Sequence, residues 1–194
     1  MSIRIVPGTP LAPPRFPHRF PVRDNCDPTN PFEAFLWMLV ALPVPQNNPL
    51  RLPLPFWQCM SKRLWDLGVR PVAEPTLVYE PDRGSHCLFA AGRFMPAPAA
   101  PPPFPYDFPL RDNCDPRNPY QVFVWMWAGP PGVNGGPLLL SVNELQLVSK
   151  QLWDLGARPA AEPTLVYARP TGAEADWLTT PGRWTPVDGE GGEA

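Results

Sequence analysis

The stretch FPVRDNCDPTNPFEAFLWM, Phe20 to Met38, returns as FPLRDNCDPRNPYQVFVWM, Phe108 to Met126. The offset is 88 residues (108 − 20). It holds without a gap from Phe20/Phe108 to Tyr79/Tyr167, and 34 of those 60 aligned positions are identical. Shared composition does not produce that much identity, so the chain is a tandem duplication. The repeat divides it into an extended arm at 1–19, a first unit at 20–96, a proline-rich linker at 97–107, a second unit at 108–186 and a Gly-rich acidic tail at 187–194. Each unit is near the lower size limit for an independent core. The copies are therefore expected to pack on each other or on a partner.

Working outward from the repeat, Arg23-Asp24-Asn25-Cys26-Asp27-Pro28 reads as a turn. Its Asp and Asn side chains bond nearby N–H groups, and Pro28 fixes the exit. Cys26 is expected to pack the turn while Arg23 pairs one of the aspartates. Helix 1 starts from Asn30 as N-cap, Pro31 as first residue and Glu33 closing a capping box, with Asn118, Pro119 and Gln121 in the second copy. Phe32, Phe35, Leu36 and Leu39 form one stripe, widened by Trp37 and Val40, and the helix is predicted to end before Pro43, and earlier in the second copy, near Gly129-Pro130-Pro131.

Helix 2 is clearest in the second unit. Ser141 and Glu144 make a capping box, and Leu145, Val148, Leu152 and Leu155 form the buried stripe. Trp57, Met60, Leu64 and Leu67 are their counterparts. Both helices end in Trp-Asp-Leu-Gly, which predicts left-handed Gly68 and Gly156 past the last turn, with Lys62 and Lys150 suiting the helix dipole. Thr76–Tyr79 and Thr164–Tyr167 read as strands, each headed by a proline, and 88–96 and 178–186 as second strands. The fold class is α+β: two small tandem units, each turn-helix-helix-strand-strand.

Proline is 33 of 194 residues, about three times the average share of roughly 5 %. It punctuates a chain that is still 44 % hydrophobic, so most of it should fold. Residues 97–107 read as a semi-rigid polyproline spacer holding the units at a set distance. Residues 1–19 read as an arm that docks on a neighbour, with a short strand at Ser2–Val6. Ile3, Ile5, Leu11 and Phe16 in the arm, with Phe104 and Tyr106 in the linker, are the expected partner-binding residues.

Sixteen Lys and Arg against 18 Asp and Glu give a net charge of −2, which makes no electrostatic case for nucleic acid. No apolar run is long enough for a membrane span, and the N-terminal stretch lacks the apolar core of a signal peptide. Cys26 and Cys114 are equivalent, but Cys59 and Cys87 have no counterparts, whereas a disulfide framework would repeat with the unit. Four reduced thiols and cytoplasmic assembly are expected.

No nucleophile–base pair, phosphate loop or metal spacing is present, so the chain is expected to be noncatalytic, without cofactor or metal. Asp24 with Asp27, and His86 with Cys87, lack further ligands. An enzyme would have to build its pocket from Asp24, Asp27, Glu74, Lys62 and their counterparts. A glycan- or host-binding module would need aromatics along an exposed strand face, whereas the repeated aromatics fall on helix stripes.

The motif RDNCDPxNP with its closing Trp-Met, then KxLWDLG, RPxxEPTLVY and a final Gly-Arg before an aromatic, resembles an uncharacterised domain family of phages that infect actinobacteria. The resemblance covers both units. It implies a virion structural setting rather than a mechanism. From it follows the expectation of a capsid decoration or minor capsid protein. Such a protein would be present in many copies and bind the major capsid protein, or connector and tail proteins, through its proline-rich and aromatic segments. A head–tail connector or minor tail protein is the rival.

Overall fold

The computed structural model describes residues 13–42, 52–80, 93–96, 99–106, 109–127, 140–168 and 183–186; for 166–168 and 183–186 it describes backbone only. Three α-helices and six short strands are assigned among them: α1 (Leu36–Leu39), α2 (Leu54–Asp66), β1 (Val69–Pro71), β2 (Val78–Glu80), β3 (Arg93–Met95), α3 (Val142–Asp154), β4 (Ala157–Pro159), β5 (Leu165–Ala168) and β6 (Arg183–Pro186). Short 3₁₀ turns lie at Arg23–Asn25, Arg111–Asn113 and Val124–Trp127. The architecture is α+β, as the sequence pattern predicts.

Helices α2 and α3 are equivalent, 13 residues each, and bury the stripes that their periodicity marks out. Trp57, Met60, Leu64 and Leu67 are at most 1 % exposed, and Leu145, Val148, Leu152 and Leu155 at most 2 %. The capping box of α3 is made: Ser141 Oγ accepts from Glu144 N–H at 3.3 Å, and Glu144 Oε2 accepts from Ser141 N–H at 2.6 Å. Residues of both units contribute to one hydrophobic cluster. The copies thus pack on each other directly rather than standing apart on the linker.

The expected long helix from Asn30 differs in form. Asn30 does act as cap, its Oδ1 accepting from Phe32 N–H at 3.0 Å, but regular helix is confined to Leu36–Leu39. The cause lies on α2. Ser61, fully buried, inserts its hydroxyl where the helical bond from Phe35 N–H to Pro31 C=O would form. It accepts from Phe35 N–H at 3.2 Å and donates to Pro31 O at 2.8 Å. A side chain inserted in the ladder breaks the helix there. The second unit repeats this, with Ser149 Oγ at 3.2 Å from Phe123 N and 2.7 Å from Pro119 O. There the segment continues as the 3₁₀ turn Val124–Trp127. Glu33 also departs from the expected box. Its carboxylate reaches back past Asn30 to accept from Asp27 N–H at 3.3 Å, as Gln121 does from Asp115 N–H at 3.1 Å.

Strand pairs close each unit. β2 pairs antiparallel with β3, placing Tyr79 opposite Phe94 with ring centroids 5.3 Å apart. β5 pairs with β6 in the matching register, Tyr167 opposite Trp184. Both begin at or after the position predicted for the first strand. The rest of the expected second strands, 88–92 and 178–182, falls outside the described residues, as do Ser2–Val6, His86 and Cys87.

The sequence pattern does not predict β1 and β4, and they join the two units. They pair antiparallel as Val69↔Pro159, Arg70↔Arg158 and Pro71↔Ala157. Arg70 faces the residue 88 positions on, its own repeat equivalent, so the pairing is isologous, as across a twofold axis. The flanking bonds obey the same symmetry. Gly68 O accepts from Ala160 and Ala161 N–H at 2.9 and 3.0 Å, and Gly156 O accepts from Val72 and Ala73 N–H at 3.1 Å each. The last helical carbonyls are capped across the interface: Asp66 O by Thr164 N–H and Asp154 O by Thr76 N–H, both at 2.7 Å. Each unit thereby satisfies orphan groups at the other's helix end.

Two like charges face each other at the centre of this ladder, which would destabilise it. Each is instead held against the end of its own unit's helix. Arg70 Nη1 donates to Trp65 O and Val69 O at 2.8 and 2.7 Å, and its guanidinium lies 3.7 Å from the Trp65 ring centroid. Arg158 does the same over Trp153 at 3.8 Å. These contacts cap the C-terminal carbonyls of α2 and α3, the role the sequence suggested for the lysines. Lys62 and Lys150 instead pair with Asp66 and Asp154 one turn on.

Gly68 (φ 84°) and Gly156 (φ 97°) are left-handed as predicted, and a Cβ at either would lie 1.9 Å from the carbonyl oxygen of Ala161 or Ala73. Gly68→Ala is expected to lower stability by about 1–2 kcal/mol, roughly 2–8 °C in Tm, from left-handed strain alone. The clash adds to this loss. Val72→Ala, at a position 64 % exposed and already alanine in the other unit, should stay within about 0.5 kcal/mol. Ser61→Ala should cost about 1–3 kcal/mol in urea unfolding and speed hydrogen exchange at the Phe35 amide about tenfold or more. Unchanged exchange there would show that the hydroxyl does not hold the turn.

Candidate interaction surfaces

The Arg-Asp-Asn-Cys-Asp-Pro turn is built by its own side chains. Asn25 Oδ1 accepts from Val22 N–H at 2.9 Å while Nδ2 donates to Phe20 O at 3.0 Å. Asp27 Oδ1 accepts from the Thr29 backbone N–H and hydroxyl at 2.8 Å each, and the backbone N–H bond above all holds its carboxyl below the ordinary carboxylate range. Cys26 is buried beneath the turn, and burial pushes its thiol up to about 12 against the opposing backbone contact from Trp37. Cys114 is shifted to about 12 for the same reason, and burial also raises the thiol of Cys59. None of the three is in a disulfide, and each is a poor nucleophile near neutral pH.

Arg23 pairs not with an aspartate of its turn but with Glu74, 51 residues on, at 3.0 Å. Its guanidinium sits 5.8 Å from the Trp37 ring centroid. The second unit repeats the group, with Arg111 at 3.5 Å from Glu162 and 6.0 Å from the Trp125 ring. Glu74 and Glu162 are 87 % and 93 % exposed in their side chains, so these pairs contribute little to stability. They give the molecule two equivalent exposed Arg–Glu pairs, each arginine set beside a tryptophan that is half-buried in the first unit (Trp37) and buried in the second (Trp125).

Proline straps form the second repeated feature. Gln58, 2 % exposed on α2, donates from Nε2 to Pro14 O at 2.7 Å, and Gln146 on α3 donates to Pro102 O at 3.0 Å. The straps correspond residue for residue: Pro13-Pro14-Arg15-Phe16-Pro17-His18 and Pro101-Pro102-Pro103-Phe104-Pro105-Tyr106. Phe16 stacks edge-on against His18 at 5.4 Å, and Phe104 against Tyr106 at 5.9 Å. The repeat therefore reaches back into the arm, and residues 99–106 lie along the second unit as 13–16 lie along the first.

Of the residues expected to meet a partner, Ile3, Ile5 and Leu11 lie outside the described residues. Phe16 is 7 % exposed in the chain's own core, Phe104 is half-buried against it, and Tyr106 is 51 % exposed. Three of the residues an enzyme would have needed are engaged with other side chains or backbone: Asp27 with Thr29, Glu74 with Arg23, and Lys62 with both carboxylate oxygens of Asp66 at 2.7 Å. No three His, Cys, Asp or Glu among the described residues are grouped to hold a metal. No described helix is long and apolar enough to cross a membrane. Sequence reasoning missed Gln58, Ser61, Gln146 and Ser149. Their signal was polar identity between copies on the apolar face of helix 2.

No curated protein and no solved structure matches this chain. One family model matches it twice, over residues 19–108 and again over 107–193. Together the two matches cover nearly the whole chain and reproduce the duplication seen in the sequence and in the paired units. The chain belongs to the phage gene 29 protein family, two units of which it carries in tandem.

Proposed function

We propose that this phage protein is a noncatalytic component of the virion that decorates the capsid, binding the particle surface through its exposed repeated patches. The isologous β1–β4 register carries the reading. Because Arg70 faces Arg158, one chain presents the exposed pair Arg23–Glu74 on one unit and Arg111–Glu162 on the other in equivalent settings. A lattice offers a partner surface many times over, and two linked sites on one chain then bind with avidity. Membership in a phage family supports the setting, and the local engagement of the polar side chains supports a binding rather than a catalytic role.

Quantitative mass spectrometry of purified particles tests the assignment. Copies in the hundreds are expected for a capsid decoration protein. A count near six or twelve would move the chain to the connector or tail, where ring symmetry sets the number. Absence from the particle would overturn the virion reading.

A further inference from the structure

The two straps are not seated equally well. Phe16 is 7 % exposed, whereas Phe104 is only half-buried. Gln146 is fully buried, and while its Nε2 reaches Pro102 O at 3.0 Å, its Oε1 meets no donor among the described residues. A carboxamide carries a donor and an acceptor side by side. In an extended or polyproline-II chain it can take the C=O and the N–H of one residue together. Pro102 has a C=O but no N–H, so it fills half of what Gln146 offers.

We propose that the surface of α3 around Gln146 is a recognition site for a proline-rich segment of a partner protein. That segment would bind in polyproline-II form, with a residue bearing an N–H at the place of Pro102 and a phenylalanine two positions on. Proline-rich segments are held elsewhere in grooves that exploit their preformed, low-entropy polyproline-II backbone. The chain's own Pro101–Phe104 occupies the site in cis and shows what shape fits. The cis strap is tethered, with an effective concentration in the millimolar range. A trans segment displaces it only by making the bond the strap cannot make or by being locally concentrated, as on a repeating surface. The inference does not depend on where in the particle the chain resides.

Full-length chain is titrated with two labelled peptides read by fluorescence anisotropy. One has the sequence of residues 98–106, Pro-Ala-Ala-Pro-Pro-Pro-Phe-Pro-Tyr, and the other replaces the residue matching Pro102 with alanine. The alanine peptide should bind about tenfold tighter, the worth of one buried hydrogen bond. Gln146→Leu should erase that difference. Should this variant fail to fold, Pro102→Ala in the chain gives the second arm: by completing the bond in cis it should weaken binding of the alanine peptide about tenfold. Equal affinities for the two peptides, or no binding of either at millimolar concentration, would overturn the proposal. The particle census would be unaffected by that result.

Discussion

Each proline removes a backbone donor and leaves its carbonyl, so a chain with 33 prolines has acceptors in excess. Buried carbonyls must be paired. The described core meets this constraint with side-chain donors placed on α2 and α3. Ser61 and Ser149 donate to Pro31 and Pro119, Gln58 and Gln146 to Pro14 and Pro102, and Gln151 to Met38 of the other unit. These are the five buried polar residues among the described residues, and all five make a bond of this kind. The helices therefore act as donor scaffolds onto which irregular proline-rich backbone is hung. The arginines at their C-terminal ends extend the scheme by capping the last-turn carbonyls.

This arrangement explains why helix 1 is broken. A continuous helix would satisfy Phe35 N–H with Pro31 C=O internally and leave Ser61 no bond to the neighbouring segment. Opening the ladder lets one hydroxyl serve both groups while fixing the turn before α1 to α2. Packing and hydrogen bonding are thus settled by the same residue.

What the sequence revealed follows from locality. The helix 2 stripes, the Ser141–Glu144 box and the left-handed glycines depend on neighbours within a few positions, and all appear as read. The fold class and the duplication were legible for the same reason, as repeated local patterns. The strands β1 and β4 were not, because a three-residue Val-Arg-Pro gains strand geometry only from a partner 88 residues away. The straps were hidden by proline itself, whose density reads as linker even where Phe16 is buried. The repeated Gln and Ser on helix 2 were visible as identities, but they gain meaning only when the carbonyls they face are known.

The isologous ladder between β1 and β4 has a consequence for how the molecule can change. Two separate chains joined this way would come apart on dilution; joined covalently, their pairing is first-order and indifferent to concentration. A true homodimer must also accept every substitution twice. Here the halves are free to differ, and they do: Cys59 stands against Leu147, and Arg63 against the Gln151 that reaches across to Met38. Fusion keeps the geometry of a symmetric pair while letting each half acquire its own specificity.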